Sequence, residues 1–387
     1  MPLLLLSGSR APDPSHRLGL RHAQGAAGRH TGADHRTLTD RRGRRWVFEP
    51  ACTLGQVVTA RAGFLLTLTL LFAVAGCSGG SGEEDRVGAA EPARASETTV
   101  APVGDTVEVG DAPQGIVYDA RTKLLAVAVH DPYRLLLLDS TTLEVRRSVA
   151  LPGKARHLQV AESGGPVLVP DEAADQLIEV FLPGGSTRVT DVQRHPHDAA
   201  AASNGDVVVG NEFSGSITVV RGGKVLRSAQ DLTQPGGVIA DGTNVAVVDV
   251  GAFTLSTYDL TTMKRTGRIG AGAGPTHGAL TSGHRVVVSD TRGGQLLVDS
   301  LDPLKEVGRL ALDGSPYGLA SDPTTSTVWV TLTATNELVG LDLSTNTPRV
   351  IATYPTVQQP DTVAVAPGSH TLWVTGTAEG VVQRITR

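Results

Sequence analysis

The residues SDPTTSTVWVTLTATNELVGLDLSTNTPRVIA (321–352) decide the fold. Two apolar runs, TVWVT and ELVGLDL, are separated by polar turn residues, and a third run, RVIA, follows a second turn. Short apolar runs bounded by turn residues are typical of antiparallel strands joined by hairpins. Together with the segment SPYGLA that comes just before it, this stretch predicts four consecutive short strands.

The same pattern recurs seven times along residues 104–387. Each repeat has a turn and a marker residue, then an innermost strand, then a continuous apolar run such as LLAVAV or RVVVSD. The intervals between markers are 43, 40, 39, 40, 41 and 44 residues. The markers are Pro113, Arg156, Pro196, Pro235, Pro275, Pro316 and Pro360. Continuous Val, Leu and Ala runs suit strands that are buried on both faces. The repeats therefore predict an all-β fold, a seven-bladed β-propeller with four-stranded antiparallel blades.

The ends of the chain suggest how the ring closes. The seventh repeat, residues 360–387, stops after its third strand. The segment GDTVEVGDAP (104–113) matches the passage from an outer strand to a marker in the other repeats. We therefore expect an N-terminal strand to complete the last blade, which removes two sheet edges that would otherwise invite aggregation.

The repeat at 321–352 resembles those of the YVTN-type β-propeller family. The likeness lies in the Asp-Pro turn, the VWVT strand, the following Asn and the Leu-Asp strand, and YDARTKLLAVAVHDPYRLLLLDSTT is a weaker copy. The resemblance covers about 104–387 and implies the propeller fold. It leaves the activity open, because related propellers include binding proteins, lactonase-like enzymes and lyases.

An export signal precedes the repeats. The run LFAVAGC ends at Cys77 and follows Arg61 and the apolar stretch 64–75. A positive flank, a short apolar segment, small residues and a cysteine predict a lipoprotein signal peptide over 57–76, with lipid such as palmitate on Cys77. The apolar stretch is too short to cross a bilayer comfortably. We therefore expect the protein at the cell membrane, lipid-anchored and facing outside the cytoplasm.

The segments on either side of the signal differ in composition. Residues 1–56 are rich in Arg and His and have no hydrophobic period, so we expect a disordered leader upstream of the true translation start. Residues 77–103 are rich in Ser, Gly, Glu and Ala, which predicts a flexible tether with a reach of roughly 25–30 Å.

The charge balance excludes one class of partner. Residues 1–76 hold 10 of the 34 basic and 4 of the 39 acidic residues, so 24 basic and 35 acidic residues remain, a net charge of −11. This balance argues against nucleic acid, which needs clustered Lys and Arg. No basic patch adjoins Cys77, so membrane contact is expected through the lipid anchor only. Cys77 is also the only cysteine after residue 76, so no disulfide is expected.

Two sets of polar residues are expected on one face of the propeller. The start of each innermost strand and the end of its neighbour share an edge of the blade, and we call the face formed by these edges the funnel face. The residues closing the apolar runs include His130, Asp171, Asn211, Asp249 and Asp290. The residues following the markers include His157, His197, Tyr317 and Asp361, with His277 one position further on. Strand alternation could turn the His277 side chain away from this face, and we keep His277 among the candidate ligands. We expect His195, which lies in a turn, to face solvent.

These residues leave two functions open. Oxygen-rich ligands would suit Ca²⁺ or Mg²⁺, and a histidine beside a carboxylate suits proton transfer. The same residue types also cap turns through hydrogen bonds to the backbone. The favoured hypothesis is a monomeric binding or scaffold module for a small molecule, an envelope glycan or a protein. The alternative is a metal-assisted, lactonase-like hydrolase or lyase. No motif identifies a catalytic nucleophile or any other cofactor.

Overall fold

The computed structural model describes residues 88–322 and 324–387. Their strands form seven separate four-stranded antiparallel sheets, arranged as the blades of a ring. The predicted all-β, seven-bladed propeller is therefore confirmed. The helical structure in these two ranges is one 3₁₀ turn, Glu212–Ser214. Cys77, the predicted signal peptide and the predicted leader lie outside the described residues.

The first three blades follow the chain in order. Strand β1 (Asp105–Glu108) precedes them. Blade 1 contains β2 (Ile116–Asp119), β3 (Leu124–Val129), β4 (Arg134–Asp139) and β5 (Val145–Ala150). Blade 2 contains β6 (Gln159–Val160), β7 (Val167–Asp171), β8 (Gln176–Phe181) and β9 (Ser186–Asp191). Blade 3 contains β10 (Pro196–Ala201), β11 (Val207–Asn211), β12 (Ser216–Arg221) and β13 (Lys224–Ala229).

The remaining blades repeat this order. Blade 4 contains β14 (Pro235–Asp241), β15 (Asn244–Asp249), β16 (Thr254–Asp259) and β17 (Lys264–Gly270). Blade 5 contains β18 (Pro275–Thr281), β19 (Arg285–Asp290), β20 (Gln295–Leu301) and β21 (Leu304–Ala311). Blade 6 contains β22 (Pro316–Asp322), β23 (Thr327–Leu332), β24 (Glu337–Asp342) and β25 (Arg349–Pro355). Blade 7 contains β26 (Pro360–Val365), β27 (Thr371–Gly376) and β28 (Val381–Thr386).

The fourth strand of blade 7 comes from the other end of the described chain. Strand β1 pairs antiparallel with β28, with Val107 opposite Val382, and the sheet order is β1-β28-β27-β26. The edge of β28 is thereby covered by hydrogen-bonded backbone, and an unpaired strand edge is a template for aggregation.

The core lies between neighbouring blades. Every residue of β3 is buried, whereas most of the outermost strand β5 is exposed. Between blades 7 and 1, Leu125 and Val127 pack with Trp373, whose ring stacks on Tyr118 at a centroid distance of 4.8 Å. Because each second strand is covered by a blade on both sides, it is apolar at consecutive positions rather than alternate ones.

One further feature concerns membranes. Among residues 88–322 and 324–387, no helix has the length and apolar character needed to cross a bilayer.

Candidate functional site

Three histidines from three blades meet where the innermost strands converge. His197 lies in β10, His277 lies in β18, and His157 lies just before β6. The His157 ring centroid is 4.6 Å from that of His197 and 4.3 Å from that of His277. One ring nitrogen of each lies within 4.8 Å of the other two. Histidines that are 40 and 120 residues apart in the sequence therefore form one group.

The structure brings the candidate His277 into this group, although strand alternation alone would turn it away from the funnel. The pairing of β18 with β19 shifts register between Pro275 and Gly278, which marks a bulge at the start of the innermost strand. A bulge breaks the alternation of side chains between the two faces of a sheet. The His277 ring therefore joins the group, and its Nε2 lies 2.9 Å from Nε2 of His157.

The hydrogen bonds of His277 define its tautomer. Its Nδ1 lies 3.2 Å from the backbone oxygen of Tyr317, and a carbonyl only accepts, so Nδ1 donates. Burial lowers the pKa of His277 to about 3, which keeps the ring neutral. Its Nε2 is then an acceptor, and Nε2 of His157 donates to it. Burial also holds the pKa of His157 well below its usual range.

Two glutamates lie on the other side of His197. Nδ1 of His197 is 3.1 Å from Oε1 of Glu172 and 3.5 Å from Oε2 of Glu212. Nδ1 of His195 is 2.9 Å from Oε2 of Glu212, and its Nε2 is 3.6 Å from Oε2 of Glu172. We call these four residues the His–Glu cluster. Arg156 adjoins it, with Nε 3.2 Å from Oε1 of Glu172.

The expectation that His195 faces solvent is wrong in part, because its side chain is only 24% exposed. Its backbone φ of 56° places it in the left-handed region, and its ring stacks on Phe213 at a centroid distance of 3.9 Å. This turn directs the ring toward Glu212 instead of outward. His195 is also the most accessible ring of the His–Glu cluster, which leaves the cluster an entrance.

The electrostatics of the cluster favour charged carboxylates. Burial alone would raise the pKa of Glu212, but the proximity of His195, His197 and the Gln234 amide brings it to about 2. The Gln234 amide donates to Oε1 of Glu212 at 2.8 Å. Burial alone would lower the pKa of His197, whereas the two carboxylates raise it. The cluster therefore holds two carboxylates, whose charge Arg156 offsets in part and which favour a cationic group at His197.

Several buried atoms of the cluster lack hydrogen-bond partners. They are Oε1 of Glu172 and Nδ1 of both His195 and His197. Their nearest contacts are ion pairs of 2.9–3.2 Å within the cluster and with Arg156. Leaving a buried polar atom without a hydrogen bond costs about 1–3 kcal/mol, so such atoms point to a bound ion or water. One ligand atom each of Glu172, His195 and His197 lies within 4.8 Å of the others, which is close enough for them to share a ligand.

The acidic residues predicted at the ends of the second strands have a different environment. Asp249 accepts hydrogen bonds from the backbone N–H groups of Thr233 and Gln234 at 2.8 and 2.9 Å. Asp290 accepts from Gly274 N at 2.8 Å and also from Ala273, Gly293 and the Gln295 amide. Asp171 accepts from Gly153 N at 2.8 Å and Ala174 N at 3.0 Å. These carboxylates cap the loops between and within blades, and the structure does not bring them into the His–Glu cluster.

The other predicted residues are distributed as follows. The Asn211 amide donates to Thr218 Oγ1 at 2.9 Å and is buried within blade 3. His130 lies apart from the His–Glu cluster, edge-on to Tyr133. The Tyr317 ring is buried and edge-on to His277 at 4.4 Å. Asp361 is buried, and burial raises its pKa to about 7.

Glu172, Glu212 and His195 were not among the predicted site residues. A signal for the two glutamates is visible in the sequence, because Asp171-Glu172 and Asn211-Glu212 occupy the same position in adjacent repeats. Asp171 turns inward to cap a loop, and Asn211 turns inward to bond Thr218 within blade 3. The glutamate that follows each of them is the one whose side chain reaches the His–Glu cluster.

Comparison with known proteins supports the fold and leaves the activity open. No family model matches the sequence, and no curated protein is similar to it. Three similar solved structures were compared. Kuenenia stuttgartiensis hydrazine synthase has a TM-score of 0.64 and 17% identity, covering 74% of this chain and 99% of that one. Virginiamycin B lyase from Staphylococcus aureus has a TM-score of 0.62 and 14% identity, covering 73% and 99%. The Swd1 β-propeller domain of Myceliophteria thermophila has a TM-score of 0.61 and 14% identity, covering 74% and 100%. At these identities the likeness shows the seven-bladed propeller fold alone.

Proposed function

We propose that this chain is a lipid-anchored, extracytoplasmic binding propeller of the YVTN-repeat type, which holds a divalent metal ion at its funnel face. The anchor and location rest on the signal motif that ends at Cys77. The metal proposal rests on one observation: unpartnered buried atoms of Glu172, His195 and His197 converge next to Glu212.

The distances within the His–Glu cluster fit a metal site. Ligands about 2.0–2.2 Å from a metal ion lie about 3.0–3.4 Å from each other in octahedral or tetrahedral arrangements. The nitrogen–oxygen distances that use one atom of each residue are 2.9, 3.1 and 3.5 Å, and they lie near that range. Gln234 donates to the other oxygen of Glu212 and would hold this carboxylate in the orientation that binds the metal.

The donor set also indicates which metal would bind. Two imidazoles with two carboxylates favour Zn²⁺, Mn²⁺ or Fe²⁺ over Ca²⁺ and Mg²⁺, which prefer oxygen ligands only. We therefore propose Zn²⁺ or a similar transition metal in place of the Ca²⁺ or Mg²⁺ expected from the sequence. Arg156 already neutralises part of the charge of Glu172, so the cluster would hold the ion less tightly than an unpaired carboxylate pair would.

Metal titration tests this proposal. After chelation, the protein should bind one equivalent of Zn²⁺ by calorimetry, with much weaker binding of Ca²⁺ and Mg²⁺. Glu212→Gln and His197→Gln should each weaken Zn²⁺ binding by at least about tenfold, as expected for the loss of a ligand or of its close support. His284→Gln is the matched control, because His284 is paired with Asp241 outside the cluster. Binding that survives both cluster substitutions would rule out this site.

The membrane anchor has its own test. Cys77→Ser should release the protein from the membrane fraction into the soluble extracytoplasmic fraction, because Cys77 would carry the lipid. The same cell fractions can be probed for a soluble envelope protein and for an integral membrane protein as references. Full retention of the variant in membranes would contradict the anchor.

A second function is favoured by the neutral pair His157 and His277. A neutral imidazole can accept a proton, and a neighbouring bound metal would supply Lewis-acid polarisation of a carbonyl group. His157 lies 4.6 Å, ring to ring, from His197, close enough for one substrate to contact both. Two of the structures similar in fold are lyases that act on virginiamycin B and streptogramin B. This arrangement would suit metal-assisted hydrolysis or elimination.

Mass spectrometry distinguishes this activity from simple binding. Metal-loaded protein is incubated with a panel of lactones that includes virginiamycin B. Hydrolysis adds the mass of one water, whereas ring opening by elimination leaves the mass unchanged. His157→Gln should abolish turnover and retain the metal. If the metal-loaded protein opens no lactone, the enzymatic function is rejected and the binding function remains.

A further inference from the structure

The segment 88–96 lies across the funnel face, and we call it the strap. Its backbone contains neither helix nor strand. At one end, the backbone oxygen of Gly88 accepts a hydrogen bond from the Arg292 guanidinium of blade 5 at 2.7 Å. At the other end, the backbone oxygen of Ser96 accepts from the Asn336 amide of blade 6 at 2.9 Å and from the Gln358 amide next to blade 7 at 3.1 Å. The strap therefore spans three blades.

Gln359 contacts the backbone of the strap on two sides of one residue. Its Nε2 donates to the backbone oxygen of Ala93 at 2.8 Å, and its Oε1 accepts from the backbone N–H of Ala95 at 2.7 Å. The N–H of Ala93 in turn donates to Thr333 Oγ1 at 3.1 Å. One amide side chain thus recognises a donor and an acceptor two residues apart, a spacing that an extended peptide presents.

These contacts do not depend on the side chains of the strap. The strap positions 89, 90, 93 and 95 are all alanine, and the hydrogen bonds go to main-chain atoms. Main-chain hydrogen bonds supply affinity for many sequences, whereas selectivity comes from the few side chains that are also contacted. The surface under the strap is therefore suited to an extended peptide with small residues.

One charged side chain supplies selectivity. Oε2 of Glu91 lies 3.5 Å from Nη1 of Arg156, the arginine that also contacts Glu172. A cavity of about 30 Å³ separates the strap from His197 and Glu212 and is lined by Ala90 and Glu91. That volume holds about one water molecule. The strap therefore lies over the His–Glu cluster on the side of Arg156, and the cluster stays accessible at His195.

We propose that the surface under the strap is a binding site for an extended peptide of small residues with one carboxylate, supplied by a partner protein, and that the strap is its intramolecular occupant. The partner peptide would have small residues over Gln359 and a carboxylate over Arg156. It would compete with the strap, whose tethering gives it an effective concentration on the order of millimolar. Recognition of the peptide backbone is independent of the metal site, because Gln359, Asn336 and Thr333 lie outside the His–Glu cluster, and only Arg156 adjoins both sites.

A peptide added in trans tests the proposal. In the full chain, residues 88–97 are replaced by a Gly/Ser sequence of equal length, which frees the surface and keeps the connection. A synthetic peptide with the sequence of residues 88–96, GAAEPARAS, should bind this variant and bind the unaltered protein at least about tenfold more weakly, because there the strap competes. Calorimetry or fluorescence polarisation measures both affinities.

Two changes separate recognition of the backbone from recognition of charge. Gln359→Ala in the strap-replaced protein should weaken binding of the peptide by about tenfold, since two hydrogen bonds are lost. Replacing Glu91 by Gln in the peptide should weaken its binding only two- to fivefold, which is roughly the effect of losing an exposed ion pair. Gln230→Ala is the matched control, because the Gln230 amide donates a hydrogen bond to the backbone oxygen of Ser214 and does not contact the strap. Loss of binding in this control would contradict specific recognition.

Other outcomes overturn the proposal. If the peptide fails to bind the folded, strap-replaced protein at several millimolar, the strap is a structural part of the propeller and not the occupant of a site. Should the strap-replaced protein fail to fold, hydrogen exchange on the intact chain replaces the titration. Gln359→Ala should then speed exchange at the Ala95 amide by about tenfold relative to the unaltered protein. In a separate experiment, added peptide should speed exchange at the same amide in the unaltered protein, because it displaces the strap. Exchange at Ala95 that is indifferent to added peptide would equally refute a competing site.

Discussion

Asp299 is predicted to make the protein less stable as the pH rises. It lies in β20, is 1% exposed, and neither carboxylate oxygen has a hydrogen-bond partner. Burial raises the pKa of Asp299 from 3.8 to about 7, and the negative charge of Glu306 on the neighbouring strand contributes a smaller part of this rise. The folded protein therefore holds a proton on Asp299 at pH values where the unfolded chain has lost it.

The sign and size of the effect follow from this pKa difference. Below pH 3.8 the carboxyl is protonated in both states, and stability is not penalised. As the pH rises toward 7, only the unfolded chain ionises, so the free energy of unfolding falls. One pKa unit corresponds to about 1.4 kcal/mol, so the full penalty above pH 7 is about 4 kcal/mol, and about 3 kcal/mol of it develops between pH 5 and 8.

Asp299→Asn removes the titrating group and keeps its shape. The free energy of unfolding of the variant, minus that of the unaltered protein, should rise by about 3 kcal/mol between pH 5 and 8. Urea unfolding followed by tryptophan fluorescence at each pH measures this difference. The difference between the two proteins matters, because it cancels the titration of all other groups. Asp342→Asn is the control. Its carboxylate has a pKa lowered to about 2, chiefly by the Ser344 backbone N–H, so its difference should stay flat over this range. A flat difference for Asp299→Asn as well would refute the reasoning.

Three other substitutions test the fold. Asp290→Ala should lower the free energy of unfolding by about 2–4 kcal/mol, because backbone N–H groups and Gln295 lose their acceptor, and an unchanged urea midpoint would contradict the capping role. Gly340→Ala places a Cβ 2.5 Å from Cη2 of buried Trp329, so a loss of about 1–3 kcal/mol and a shifted tryptophan emission are expected, and unchanged emission would show that the ring has not moved. Val107→Asp puts a charge into the apolar contact between β1 and the core beside blade 7, so β1 should detach and expose the edge of β28. Light scattering should then show aggregation, and a signal equal to that of the unaltered protein would show that β1 does not protect this edge.

The candidate site could be predicted from the sequence only in part. The position after the marker predicts that His157 and His197 lie on one face, because every innermost strand begins at the same edge of its blade, and their rings are 4.6 Å apart in the structure. The sequence named His277 as a candidate but left its orientation open, since the bulge between Pro275 and Gly278 is a property of pairing with β19 and has no clear sequence signature. Asp249 has the residue type of a ligand, but the loop between blades 3 and 4 supplies its hydrogen bonds.

The sequence by itself determined the architecture of this protein. Each blade is built from local hairpins, so turn residues and apolar runs within about forty residues were enough to predict seven blades. The tertiary structure alone decided which polar side chains meet. Glu172, His195 and Glu212 come from three separate turns of blades 2 and 3, and Glu91 reaches Arg156 from 65 residues away in the sequence. Such contacts depend on the closure of the ring and on the path of the chain across it, which no local pattern encodes.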